Sequence, residues 1–112
     1  MNKRYTPDTG DIIHVHFELP ARHHGPDFKP ALVISPAVYN RKSGLMLCCA
    51  ISGEAKGYPF EVPLAAYPES VVLADQLKSL GWAGIKISRQ GRAAPEELAT
   101  VRAMLTALIL PG

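Results

Sequence analysis

Residues 10–19, GDIIHVHFEL, place Ile13, Val15 and Phe17 at alternate positions, with Ile12, His14 and His16 between them. That period of two belongs to a β-strand, whose successive side chains leave opposite faces. Residues 30–36, PALVISP, are apolar at nearly every position, the pattern of a strand covered on both faces and central in its sheet. The following SPAVYNRKSG offers Ser35 as a helix cap, Pro36 at the first helical position and Gly44 as a terminator, which predicts a short helix or turn. Further strands are predicted at residues 45–52, LMLCCAIS, at 58–64, YPFEVPL, whose prolines favour a sheet edge, and at 70–80, SVVLADQLKSL. A short sixth strand is expected around residues 82–87.

Residues 94–110, APEELATVRAMLTALIL, read as the one long helix. Pro95 opens it, Glu96 and Glu97 sit where the helix dipole favours acids, and Leu98, Val101, Leu105 and Leu108 form an apolar stripe. With no repeats and no linker, the pattern predicts one domain over residues 1–112. Its class is mainly β: a small, strongly bent barrel of about six strands carrying a C-terminal α-helix.

Composition sets limits on this picture without supplying a function. Ten prolines and nine glycines in 112 residues favour short strands over long helices. A net charge of +2 and a pI near 8.6 permit a polyanionic partner. Cys48 and Cys49 are neighbours, so a strand sends them to opposite faces, and neither a zinc site nor a disulfide framework is expected. No cofactor is expected either. MNKRYTPDTGD lacks an apolar stretch of signal-peptide length, and no run approaches the roughly 20 apolar residues of a membrane span. A cytoplasmic protein without membrane attachment is therefore the expectation.

Five stretches in order, RYTPDTGDII, KPALVISPAVYNRKSG, KGYPFEV, LADQLKSL and APEEL, resemble the MazF/PemK toxins of bacterial toxin-antitoxin systems over nearly the whole chain. The resemblance implies an SH3-like barrel of the MazF/PemK/CcdB type and a two-fold homodimer. It also implies a metal-independent, sequence-specific endoribonuclease that cuts single-stranded RNA, with mRNA as the expected target, to 2′,3′-cyclic phosphate and 5′-hydroxyl ends. An acidic tail of a MazE-like antitoxin is expected to lie along the RNA groove, drawn by the same charge that draws RNA. The family usually assigns catalysis to an arginine and a threonine at the positions held here by Lys29 and Ser52. An acid common in the preceding loop is replaced by His24.

Attack by a ribose 2′-hydroxyl needs a base, charge on the phosphorane oxygens and a proton for the departing 5′-oxygen. Lys29 supplies charge without the two-pronged geometry of a guanidinium, and a desolvated lysine, unlike an arginine, becomes a usable proton donor. Ser52 keeps a hydroxyl for a phosphate oxygen and drops the methyl that fixes its rotamer. His24 is the candidate general base, with His23 as the fallback, because imidazole titrates near neutral pH. Taken alone, the same residues read as a solvated lysine at a strand entrance, a Ser-Gly turn and two exposed loop histidines.

For RNA binding the candidates are Phe17, Lys56, Gln76 and Lys78. Phe17 is placed to stack a base, although its alternation with Ile13 and Val15 also suits core packing. Lys56 and Lys78 suit phosphates, and Gln76 a base edge. His14 and His16 share a strand face and offer an incomplete metal pair, a lining for the RNA groove, or simply a polar surface. The helix stripe and the Trp82 region are expected to help bury the two-fold contact. Two other readings stay open: a gyrase-poisoning binding toxin of the same architecture, and a catalytically weakened family member that still binds antitoxin or RNA.

Overall fold

In a computed structural model, which describes residues 5–17 and 27–110, the chain forms β1 (Asp11–His16), β2 (Phe28–Val33), α1 (Ala37–Ser43), β3 (Leu45–Ser52), β4 (Glu61–Leu64), β5 (Tyr67–Gly81), β6 (Ile87–Arg92) and α2 (Pro95–Ile109). The strands make one sheet in the order β4-β5-β3-β2-β1-β6, antiparallel at every pairing. β2 lies between β3 and β1, as its unbroken apolar run requires, and β4 is an edge, as its prolines require. The sheet is strongly bent but not hydrogen-bonded into a closed barrel, since the edge strands β4 and β6 share no ladder among the described residues. Instead the Tyr67 hydroxyl, at the start of β5, reaches the Gln90 carbonyl of β6 at 3.3 Å.

Alternation along the strands builds a core on each face. Ile12, Leu32, Cys49, Ile51, Val72 and Ala74 bury one face beneath Val101 and Leu105 of α2. Ile13, Ala31, Val33, Met46, Cys48 and Trp82 bury the other. In α2, Met104 and Leu98 pack beside Val101 and Leu105, whereas Leu108 is 47% exposed. The predicted stripe therefore runs out one turn early. Glu97 closes the N-terminus of α2 by accepting from the backbone N–H groups of Ala94 at 2.8 Å and Ala65 at 2.7 Å.

Four local expectations are corrected. Ser35 does not cap α1: its hydroxyl donates to Asn40 Oδ1 at 2.6 Å and accepts from the Leu47 N–H at 2.8 Å. The cap comes from Asp8, whose carboxylate takes the Ala37 N–H at 2.9 Å, and Pro36 is the residue before the helix. β4 starts only at Glu61 because Pro59 and Phe60 form a turn. The sixth strand is Ile87–Arg92 rather than 82–87, since the segment before it turns back at Ala83 and Gly84. Trp82 is 6% exposed inside the chain's own second core, with its indole N–H donating to the Asn40 carbonyl at 3.0 Å. Gly44 does end α1 as expected, with a positive φ of 73° and its N–H on the Asn40 carbonyl.

Candidate functional site

The second core thins toward one end of the sheet, and there the same face becomes a surface. Val15, Ala31, Cys48, Ala50 and Leu80 form the floor of a cleft of about 340 Å³, with Phe17, Lys29 and Lys78 at its margin. Phe17 is 37% exposed and carries the Lys29 ammonium 5.6 Å from its ring centre, within cation–π range. Alternation with Val15 puts Phe17 on the expected face, but the core ends before reaching it, so it does not pack inside. Among the described residues no acidic side chain lines this cleft, and two lysines stand over an apolar floor.

A second cleft of about 560 Å³ holds Ser52, Lys56, Tyr58 and Gln76. The two clefts adjoin along β3 and β5: Ala50 and Lys78 belong to the first, while Ser52 and Gln76, two residues along each strand, belong to the second. The β2–β3 ladder runs to the Ala31–Ala50 pair, and Lys29 and Ser52 each lie two positions beyond it on their strands. A period of two sends both side chains to the face of that pair. A wide bulge shapes the second cleft, because Leu73 to Gln76 of β5 stand opposite the single Ala50 between the Leu77–Cys49 and Val72–Ile51 pairs.

The Ser52 hydroxyl is engaged locally. It accepts the Glu54 N–H at 3.2 Å and donates to the Glu54 carbonyl at 3.1 Å, the turn role read from Ser-Gly alone. The loop that follows is held by Glu61, whose carboxylate accepts the backbone N–H groups of Lys56 at 2.9 Å and Gly57 at 3.1 Å. Tyr58 was not among the sequence candidates. Its signal was an aromatic fixed between Gly57 and Pro59, where the chain has to turn rather than bury it.

Of the predicted residues, then, Phe17, Lys29 and Lys78 share one cleft and Ser52, Lys56 and Gln76 its neighbour. His24 and His23 lie outside the described residues. His14 and His16 are on the opposite sheet face: His14 stacks on Phe28 with ring centres 4.0 Å apart, and His16 Nε2 pairs with the Ser88 hydroxyl at 3.1 Å. Burial, reinforced by His16, lowers the His14 pKa and favours the neutral ring. Among the described residues no three His, Cys, Asp or Glu side chains are grouped to hold a metal ion. Burial pushes the Cys49 thiol up to about 12 and raises Cys48 as well, so neither is a thiolate nucleophile at neutral pH.

Comparison with known proteins gives a consistent set of relatives. A family model described as PemK-like, MazF-like toxin of type II toxin-antitoxin system matches residues 8–109. The endoribonuclease toxin MazF of Escherichia coli (strain K12) is 42% identical over 110 residues, which span 97% of this chain and 99% of that protein. A crystal structure of MazE-MazF (Form-II) from Deinococcus radiodurans matches with a TM-score of 0.84 at 42% identity, covering 95% of this chain and 97% of the other. MazF (Form-I) from the same organism matches with a TM-score of 0.80 at 42% identity, covering 95% and 98%.

Proposed function

This chain belongs to the PemK-like, MazF-like toxins of type II toxin-antitoxin systems, and from that membership we propose a division of labour across its two adjoining clefts for cutting RNA. It is an endoribonuclease toxin with RNA as substrate and a MazE-like antitoxin as partner. The gyrase-poisoning alternative is set aside, since the matched relatives are endoribonucleases. The reaction is attack of a ribose 2′-hydroxyl on the adjacent phosphorus, which leaves a 2′,3′-cyclic phosphate and a free 5′-hydroxyl and carries its nucleophile within the substrate.

Lys29 neutralises the charge that builds on the phosphorane oxygens. Ser52 donates its hydroxyl hydrogen to one of those oxygens, giving up the Glu54 carbonyl while the Glu54 N–H keeps its lone pair oriented. Lys78, on the margin of the same cleft as Lys29, hands a proton to the departing 5′-oxygen. His24 takes the 2′-hydroxyl proton, a role proposed from imidazole chemistry alone. Phe17 stacks a base, Lys56 steers the backbone and Gln76 reads a base edge, which makes cleavage of single-stranded RNA dependent on sequence.

The observation supporting this reading above all others is that Lys29, Lys78 and Ser52 leave one sheet face in neighbouring clefts, both lysines at the margin of the same one. A homodimer and a cytoplasmic location complete the proposal. The exposed turn Leu108, Ile109 and Leu110 is apolar surface for the two-fold contact. No helix among the described residues is long and apolar enough to cross a membrane. Incubating the protein with mixed-sequence RNA in EDTA tests the chemistry: the expected products carry cyclic phosphate and 5′-hydroxyl ends. Cutting that demands a divalent cation, or products with 5′-phosphates, would overturn it.

A further inference from the structure

Tyr58 lines the cleft that holds Ser52 and Gln76 and is 46% exposed, yet its ring is held from three directions. Its hydroxyl donates to the Asp75 carboxylate at 2.5 Å. The ring leans on Phe60, with centres 5.8 Å apart and planes tilted by 50°. The backbone beneath it is fixed by Glu61, by the positive φ of 76° at Gly57, and by the Phe60 carbonyl, which accepts the Ala74 N–H at 2.9 Å. An exposed tyrosine whose polar tip is tethered and whose backbone is locked forfeits little entropy when a flat ligand covers it.

We propose that Tyr58 is a stacking platform for one unpaired nucleobase of the RNA beside the scissile phosphate, and that Asp75 is the positioning residue holding the ring in place. The β5 bulge makes this possible, because it turns Asp75 toward the loop while Gln76 stays in the cleft. The amide of Gln76 offers both a donor and an acceptor to the edge of a base whose face rests on Tyr58. The hydrogen bond to Asp75 raises the phenol pKa, with weaker help from desolvation, so the tether stays intact throughout the neutral range. Stacking of this kind acts on bound substrate and transition state alike, and so belongs in KM rather than kcat.

The inference rests on the endoribonuclease reading, and a base-removal series separates the two. RNA substrates carrying an abasic nucleotide at one position at a time are cut by the wild-type protein and by Tyr58→Ala. For the wild type, base removal at one position flanking the cut is expected to raise KM roughly tenfold or more. Tyr58→Ala is expected to show a similarly raised KM on intact RNA, a kcat within a few-fold, and no further penalty at that position. Tyr58→Phe and Asp75→Asn keep the ring and are expected to keep a smaller penalty. A Tyr58→Ala protein with the wild-type KM and the wild-type abasic profile would overturn the proposal. Wild-type protein that cuts no RNA would instead overturn the endoribonuclease reading and this inference with it.

Discussion

Lys29 carries the positive charge of an arginine without its planar fork. Lys29 and Lys78 are both exposed at the cleft margin, Lys29 over Phe17, and the proposed division gives Lys29 charge at the phosphate and Lys78 the proton transfer. Lys29→Arg is therefore expected to cut RNA a few-fold faster at saturating substrate, measured by single-turnover rates; slower cutting would assign the proton transfer to Lys29 itself. His24→Ala is expected to lose the limb of the pH–rate profile near about pH 6.5, and an unchanged profile would remove it as the base. At this scale the sequence said little about surroundings. Alternation placed Phe17 with Val15, but nothing in the residue string said that the core stops between them. The tether between Tyr58 and Asp75 joins residues 17 apart through a bulge that no periodicity announces.

The elements divide by how strongly each pattern is tied to burial. β3 occupies the predicted residues 45–52 because both its faces are covered. β6, ISRQGR, has almost no apolar signal, since it is an edge strand whose Arg89 and Arg92 turn to the buried Asp11 carboxylate at 3.3 and 3.4 Å. α1 shows the clearest mismatch between motif and structure: the Ser-Pro start looked like a cap, while Asp8 does the capping and Ser35 joins a buried polar knot. Asn40, fully buried, accepts from Ser35 Oγ and donates to the Pro7 carbonyl at 2.8 Å and the Ser35 carbonyl at 3.0 Å. Asn40→Ala leaves those groups without partners and is expected to cost about 3 kcal/mol in urea unfolding. The exposed neighbour Val38→Ala is expected to stay within about 0.5 kcal/mol. Equal effects at the two positions would contradict the role of the knot.

For the whole molecule, both cores bury groups that must stay uncharged. Desolvation raises Cys49 from 9.0 to about 12, and it also raises Cys48 and Tyr5, the last helped by its hydrogen bond to Asp11. A raised pKa means that the folded state holds the proton more tightly. The associated stability is therefore complete below the ordinary value of 9.0 and is lost as pH rises toward about 12. The urea midpoint is expected to fall steadily above about pH 9, and a midpoint flat to about pH 11 would contradict this burial. The family, a central β2 and an edge β4 were legible in the sequence; the full strand order and the split into two clefts were not, the latter because it arises from the β5 bulge and from where the second core ends. The central claim is that Lys29 and Ser52 act on one phosphodiester. Its most direct test is to map new 5′-hydroxyl ends from mixed-sequence RNA cut in EDTA by the wild type, Lys29→Ala and Ser52→Ala. Both variants are expected to lose those ends by about a hundredfold, and wild-type ends at wild-type rates from either one would contradict the claim.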